Sequence, residues 1–219
     1  MKTKALFVNA LTFARMPLIF IWAVFAIVQE YSPAWIEGGS FWLGFTAGLA
    51  MLFAGLTDAW DGALARRWGV VSSLGKMADP LMDKVFYIVT FPTLAWQILH
   101  QGGRGAEVHA LVMLAFTVIY MMRDTWVTFL RSVGTLYGAD VAAMWLGKVR
   151  TALSFPGAGW VYAYLVLDRM LPSLPGWAHE SWFVSCFVVE GLLLMLTFWS
   201  LWTYTRAYWP YVKKALEQK

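Results

Sequence analysis

Six apolar stretches, at about 8–29, 40–66, 79–100, 108–134, 147–169 and 181–207, are each long enough to cross a bilayer, and nothing else constrains the chain as tightly. Hydrocarbon offers no water to an unpaired backbone amide, so consecutive segments of this kind read as α-helices. Between them the chain carries turn chemistry at Ser32-Pro33, Gly38-Gly39, Gly102-Gly103 and Pro172 to Gly176. The composition agrees: 60% of the 219 residues are hydrophobic and 14% are charged, where a soluble domain carries about 25% charge. The expectation is one all-α membrane domain over residues 1–219, with six transmembrane helices and room for a short amphipathic segment at the start. The opening MKTKALFVNALTFARMPL has no small-residue cleavage site and reads as a retained, cytoplasmic start. Cys186 has no partner for a disulfide and reads as a small packing residue.

The net charge of +4 is not a nucleic-acid footprint, because its distribution follows the membrane. With six spans both termini share a side, and fifteen of the 17 Lys and Arg residues fall there, leaving Arg104 and Arg169 opposite. This positive-inside bias puts the termini and the loops near 70 and 140 in the cytoplasm. Trp35, Trp42, Trp96, Trp177, Trp182, Tyr208 and Trp209 lie near the ends of the apolar stretches, as an interfacial belt would. His100, His109 and His179 fall toward the other side and read as interfacial.

Four acids interrupt the second and third stretches: Asp58, Asp61, Asp79 and Asp83. An unpaired acid at a helix centre costs roughly 2.5–3.5 kcal/mol, so something must offset them. Asp58 and Asp61 are three residues apart on one helix face, and Asp79 and Asp83 are four apart on another. The connector from Arg67 to Gly75 is short, so the two helices should be antiparallel neighbours with both pairs at the cytoplasmic end. Four carboxylates together repel; hard divalent cations with oxygen ligands resolve that conflict, and a pair of such ions ~3.5–4 Å apart serves phosphoryl chemistry. Gly62 and Ala65 keep the Asp61 face smooth, so a bulky ligand can lie against it. The plainer alternative makes Asp79 a helix N-cap ahead of Pro80, which leaves the other three acids unexplained.

The run Asp58-x2-Asp61-Gly62-x2-Ala65-Arg66-x8-Gly75-x3-Asp79-x3-Asp83 resembles the signature of the CDP-alcohol phosphotransferase family at every specified position. The resemblance implies a six-span enzyme, a CDP-diacylglycerol donor and a homodimer. It implies Asp58, Asp61, Asp79 and Asp83 as ligands of Mg²⁺ or Mn²⁺, two ions in number, with Asp83 also the general base. It implies that Gly62, Ala65, Arg66 and Gly75 accommodate the cytidine diphosphate.

Arg123, Arg131, Lys148 and Arg150 lie on the same side, near the depth of the acids. Cations beside an acidic site fit an acceptor with its own phosphate; alternatively they only enforce topology. Arg123-Asp124-x5-Leu130-Arg131 and Gly147-Lys148-Val149-Arg150-Thr151 resemble motifs of bacterial phosphatidylglycerophosphate synthases, with Arg150 in place of the usual second lysine. Asn9-Ala10-Leu11-Thr12-Phe13-Ala14-Arg15 resembles the opening of the same enzymes. That resemblance implies transfer to sn-glycerol 3-phosphate in a bacterial inner membrane, with the site facing the cytoplasm. Inositol phosphate, inositol, serine and phosphatidylglycerol stay open as acceptors. A cation transporter is the remote alternative, but it needs acids spread through the membrane depth, whereas the acids bunch at the cytoplasmic end and the other candidate within a span is Glu190, in the sixth. Glu190 reads as a hydrogen-bonded packing or dimer-interface residue.

Overall fold

The computed structural model describes residues 2–31, 39–103, 105–139, 144–170 and 175–217. Trp35, Ser32, Pro33, Gly38, Arg104, Pro172 and Lys219, named above, lie outside the described residues, as do the side chains of Lys76 and Arg169. Six helices follow one another among the described residues: α1 (Lys2–Tyr31), α2 (Gly39–Trp68), α3 (Ser73–Gln101), α4 (Ala106–Leu136), α5 (Trp145–Met170) and α6 (Gly176–Glu217). No strand occurs among the described residues. Each apolar stretch lies inside one helix. The helices overrun those stretches because the flanking segments, such as Lys2–Phe7 and Tyr208–Glu217, continue as helix.

Among the described residues, four helices are long and apolar enough to cross a membrane: α1, α2 from Trp42, α4 and α6. α3 and α5 are comparably long, at 29 and 26 residues, but their apolar runs are diluted. In α3 the diluting residues include buried Thr90, Thr93 and Gln97, and in α5 buried Ser154. These polar groups face protein: Gln97 Nε2 donates to the Ala26 carbonyl of α1 at 3.2 Å. The N-terminal segment is no separate amphipathic piece; it is continuous with α1.

α3 sits centrally, packed against α1, α4 and α5, while α1 covers α2 and α6 covers α4 and α5. Its aromatic residues make the core. Phe86 stacks on Phe155 of α5, and Tyr87 and Phe91 pack edge-on against Tyr120 of α4. A smaller cluster of Val127, Leu130, Tyr204 and Tyr208 joins α4 to α6. Tyr208 is therefore buried in protein, not part of an interfacial belt. Trp42 and Trp177 are exposed, as the belt requires.

Two local devices set the end of the bundle that carries the acids. Gly69, at φ +63°, ends α2 in a left-handed turn that a side chain would strain. Ser72 then caps α3: its Oγ accepts from the Gly75 amide at 2.9 Å and donates to Asn9 Oδ1 of α1 at 2.7 Å. The true N-cap is Ser72, so Asp79 and Pro80 lie inside α3 and the capping account of Asp79 fails. Lys4 and Phe7 of α1 pack on Trp68 at this same end.

Candidate active site

The end of α2 and the start of α3 bring three of the four aspartates, Asp58, Asp61 and Asp83, around one side chain, Arg15 of α1. Its Nη2 lies 2.5 Å from Asp58 Oδ1 and 3.3 Å from Asp61 Oδ2, and its Nη1 lies 3.5 Å from Asp83 Oδ1. Asp61 is buried and also accepts from Thr12 Oγ1 at 2.7 Å. Thr12 and Arg15 are three residues apart, so one face of α1 serves the acids. Asp79 feels the charges of Asp61, Asp58 and Arg15 and opens to solvent.

Asp58, Asp79 and Asp83, with Lys84 beside them, form one wall of a cavity of about 390 Å³. The facing wall holds Arg123, Asp124 and Arg131 of α4, Gly147, Lys148, Arg150 and Thr151 of α5, and Tyr204 of α6. The four basic positions singled out in the sequence thus meet the acids across one space. They are not equivalent. Arg123 and Arg150 are buried, and both donate to the same Asp124 Oδ1 at 2.8 Å. Arg150 also lies 4.5 Å over the Tyr120 ring and 5.4 Å over Tyr87, and Arg123 lies 5.2 Å over Tyr204 while donating to Ser200 Oγ. Lys148 is exposed and Arg131 half-buried. Gly147 permits this approach of α5, since a Cβ there would meet Tyr204 Oη at 3.1 Å and Arg123 Nη2 at 3.3 Å.

Gly62, Ala65, Arg66 and Gly75 are not among the residues lining that cavity. Arg66 folds back over Gly62, where a Cβ would meet its Nη1 at 3.3 Å. A Cβ on Gly75 would meet Ser72 Oγ at 3.1 Å and Asn9 Oδ1 at 3.5 Å, so the bare position also leaves room for the α3 cap.

A second space, an apolar groove of about 760 Å³, runs along α2 and α5 between Gly44, Gly48, Gly55, Phe155 and Tyr162. It reaches Asp58 and shares Thr151 and Ala152 with the polar cavity.

The donor chemistry suits a hard divalent ion: carboxylates from two helix ends lie near one another, and three of them, Asp58, Asp61 and Asp83, have already drawn a cation among them. Among the described residues no three acidic, histidine or cysteine side chains already stand in a metal-holding group. The Arg15 guanidinium occupies the middle of the cluster instead.

At the far end of the bundle, His109 Nε2 and Glu190 Oε1 meet at 2.5 Å, both buried. His109 is thus a protein-facing partner of Glu190 and not an interfacial residue. Glu190 is a hydrogen-bonded packing residue, far from the acids. Asp124 is the functional candidate that the sequence did not single out; its place beside Arg123 inside the first arginine motif was the available signal. Tyr204, Tyr87 and Tyr120 carried none.

The CDP-alcohol phosphatidyltransferase family model matches residues 6–179 of the chain. A cardiolipin synthase (CMP-forming) of Streptomyces coelicolor is 26% identical over 201 residues, covering 86% of this chain and 80% of its own length. The CDP-diacylglycerol–glycerol-3-phosphate 3-phosphatidyltransferase of Yersinia pestis is 28% identical over 171 residues, covering 77% of this chain and 81% of its own. The Escherichia coli protein of that name is 27% identical over 170 residues, covering 76% and 80%.

Proposed function

This chain belongs to the CDP-alcohol phosphatidyltransferase family, and we propose that it transfers a phosphatidyl group from CDP-diacylglycerol to sn-glycerol 3-phosphate, giving phosphatidylglycerophosphate and CMP. The observation that carries this reading is the cavity with carboxylates on one wall and basic side chains on the other. An acceptor with both a hydroxyl and a phosphate fits between them.

The acceptor phosphate is assigned to Lys148 and Arg131, which line the cavity from α5 and α4. Asp124 holds Arg123 and Arg150 in fixed positions behind it, so their positive field is aimed without either side chain being free to swing. The acceptor hydroxyl then points to the opposite wall, where Asp83 takes its proton. The hydroxyl oxygen bonds to the phosphorus that carries the diacylglycerol, and the bond from that phosphorus to CMP breaks. Asp58, Asp61, Asp79 and Asp83 would hold Mg²⁺ or Mn²⁺, which supplies neutralisation of the diphosphate charge and of the leaving CMP. The acyl chains are assigned to the apolar groove along α2 and α5, which begins at Asp58. Gly62, Ala65, Arg66 and Gly75 are proposed to border the cytidine diphosphate.

We place six spans in a bacterial inner membrane, with the site and both termini in the cytoplasm. At 1.5 Å per residue α3 and α5 measure about 43 and 39 Å, enough for a hydrocarbon core of about 30 Å. The basic excess lies at the end that holds the cavity.

A second reading follows from the similarity to the Streptomyces coelicolor cardiolipin synthase: the acceptor hydroxyl belongs to phosphatidylglycerol. Both readings are tested by CMP release from CDP-diacylglycerol, using purified protein with Mg²⁺ or Mn²⁺. Glycerol 3-phosphate, phosphatidylglycerol, inositol phosphate, inositol and serine are offered in parallel. Release with glycerol 3-phosphate alone is the expected result. Release with phosphatidylglycerol alone would replace the acceptor and keep the aspartate chemistry.

A further inference from the structure

Arg15 is among the most deeply enclosed side chains of the protein, with 0% exposure, yet it is poorly satisfied. Its Nε and Nη1 have no hydrogen-bond partner among the described residues. An arginine serving as a structural pin would be expected to use its fork of five donors. Here one nitrogen, Nη2, serves both Asp58 and Asp61, and Nη1 stands 3.5 Å from Asp83 without good hydrogen-bond geometry. One hydrogen bond, from Nη2 to Asp61 Oδ2 at 3.3 Å, and charge attraction to Asp58 and Asp83 hold it in place. One guanidinium against four carboxylates leaves negative charge over, which is the charge a divalent ion would take up. The guanidinium also stands where an ion touching Asp58, Asp61 and Asp83 together would have to sit.

We infer that Arg15 is a resident counter-ion of the aspartate cluster, which competes with divalent metal for Asp58, Asp61 and Asp83 and must give up those contacts when the metal binds. Thr12 is the fixed companion: its neutral hydroxyl donates to Asp61 and has no charge to oppose an incoming cation. Arg15 is thus a positioning residue that sets how tightly the site takes metal. The inference rests on the reading that these aspartates bind a divalent ion.

The two possible roles of Arg15 predict opposite signs. If it were only a pin, Arg15→Gln would let the carboxylates separate and weaken metal binding. As a competing cation, its removal tightens binding, by roughly tenfold or more, because a positive charge adjoining a divalent ion is removed. The experiment is a Mn²⁺ titration of the full chain in detergent micelles, with free Mn²⁺ read by electron paramagnetic resonance. Wild type, Arg15→Gln, Asp58→Asn and Asp83→Asn are compared. Tighter binding in Arg15→Gln, with weaker binding in both aspartate variants, is the expected result. Loss of Mn²⁺ in the aspartate variants with equal or weaker binding in Arg15→Gln overturns the inference alone. Mn²⁺ binding indifferent to the aspartate variants overturns the metal reading and the inference with it. A measurement on wild type holds the test if Arg15→Gln does not fold. Saturating Mg²⁺ should shift the Arg15 Nε–H resonance, assigned by its absence in Arg15→Lys; an unmoved resonance overturns the proposal.

Discussion

Replacing Asp124 by alanine tests the construction of the basic wall. Its Oδ1 accepts from Arg123 Nη1 and Arg150 Nη2, both at 2.8 Å, and the two side chains are 8% and 1% exposed. Without the carboxylate, two guanidinium ions remain enclosed against aromatic faces, with Ser200 beside Arg123, and have lost their shared hydrogen-bonded anion. Removing one partner of a buried ion pair costs about 3–5 kcal/mol, because the remaining charge is left uncompensated. For a chain of this size each kcal/mol lowers the unfolding midpoint by about 2–4 °C, so Asp124→Ala should lower it by roughly 6–20 °C. Asp124→Asn keeps an acceptor oxygen and the shape, and should lose about 1–3 kcal/mol. Thermal unfolding in detergent, followed by circular dichroism, reads both. Glycerol 3-phosphate should recover part of the loss in Asp124→Ala by returning negative charge to the cavity. A midpoint within about 2 °C of wild type would refute the claim that Asp124 organises the two arginines.

Further outcomes follow from the same geometry. Asp83→Asn should abolish turnover while CDP-diacylglycerol still binds; retained activity would remove Asp83 from the role of base. Lys148→Ala should raise the KM for the acceptor more than that for the donor, in steady-state assays varying each substrate, and equal effects would argue against an acceptor-phosphate subsite. His109→Ala should lower the unfolding midpoint and leave both KM values unchanged. It lies 14 residues before Arg123 on α4, about 21 Å along the axis. Gly134→Ala should destabilise by about 1–3 kcal/mol, because its Cβ would come within 2.6 Å of the Tyr208 ring; chemical denaturation would show it.

The helices were legible because bilayer-length apolar runs leave a chain little other choice, and the acids because an unpaired charge at that depth demands an explanation. Spacing alone put Asp58 with Asp61 and Asp79 with Asp83 on single faces. It could not show that Arg15 enters between them, since that contact joins residues more than forty positions apart. The same limit hid Tyr204 of α6 and the dual pairing of Asp124. Which side of a helix a residue faces was the harder reading. His109 and Tyr208 were placed near helix ends, but a periodicity of apolar residues on all sides does not separate the lipid side from the protein side, and both are enclosed. The Asp79-Pro80 dipeptide looked like a helix start because proline favours the first turn; Ser72 supplies a cap seven residues earlier, and α3 runs through the proline.

The most direct measurement follows the acceptor oxygen. Purified protein is given CDP-diacylglycerol, divalent metal and sn-glycerol 3-phosphate carrying ¹⁸O at its primary hydroxyl, and the products are read by mass spectrometry. Attack by that hydroxyl on the lipid-bearing phosphorus predicts phosphatidylglycerophosphate that retains the label and CMP that lacks it. Label in a cytidine nucleotide, or no lipid product from this acceptor, would contradict the account.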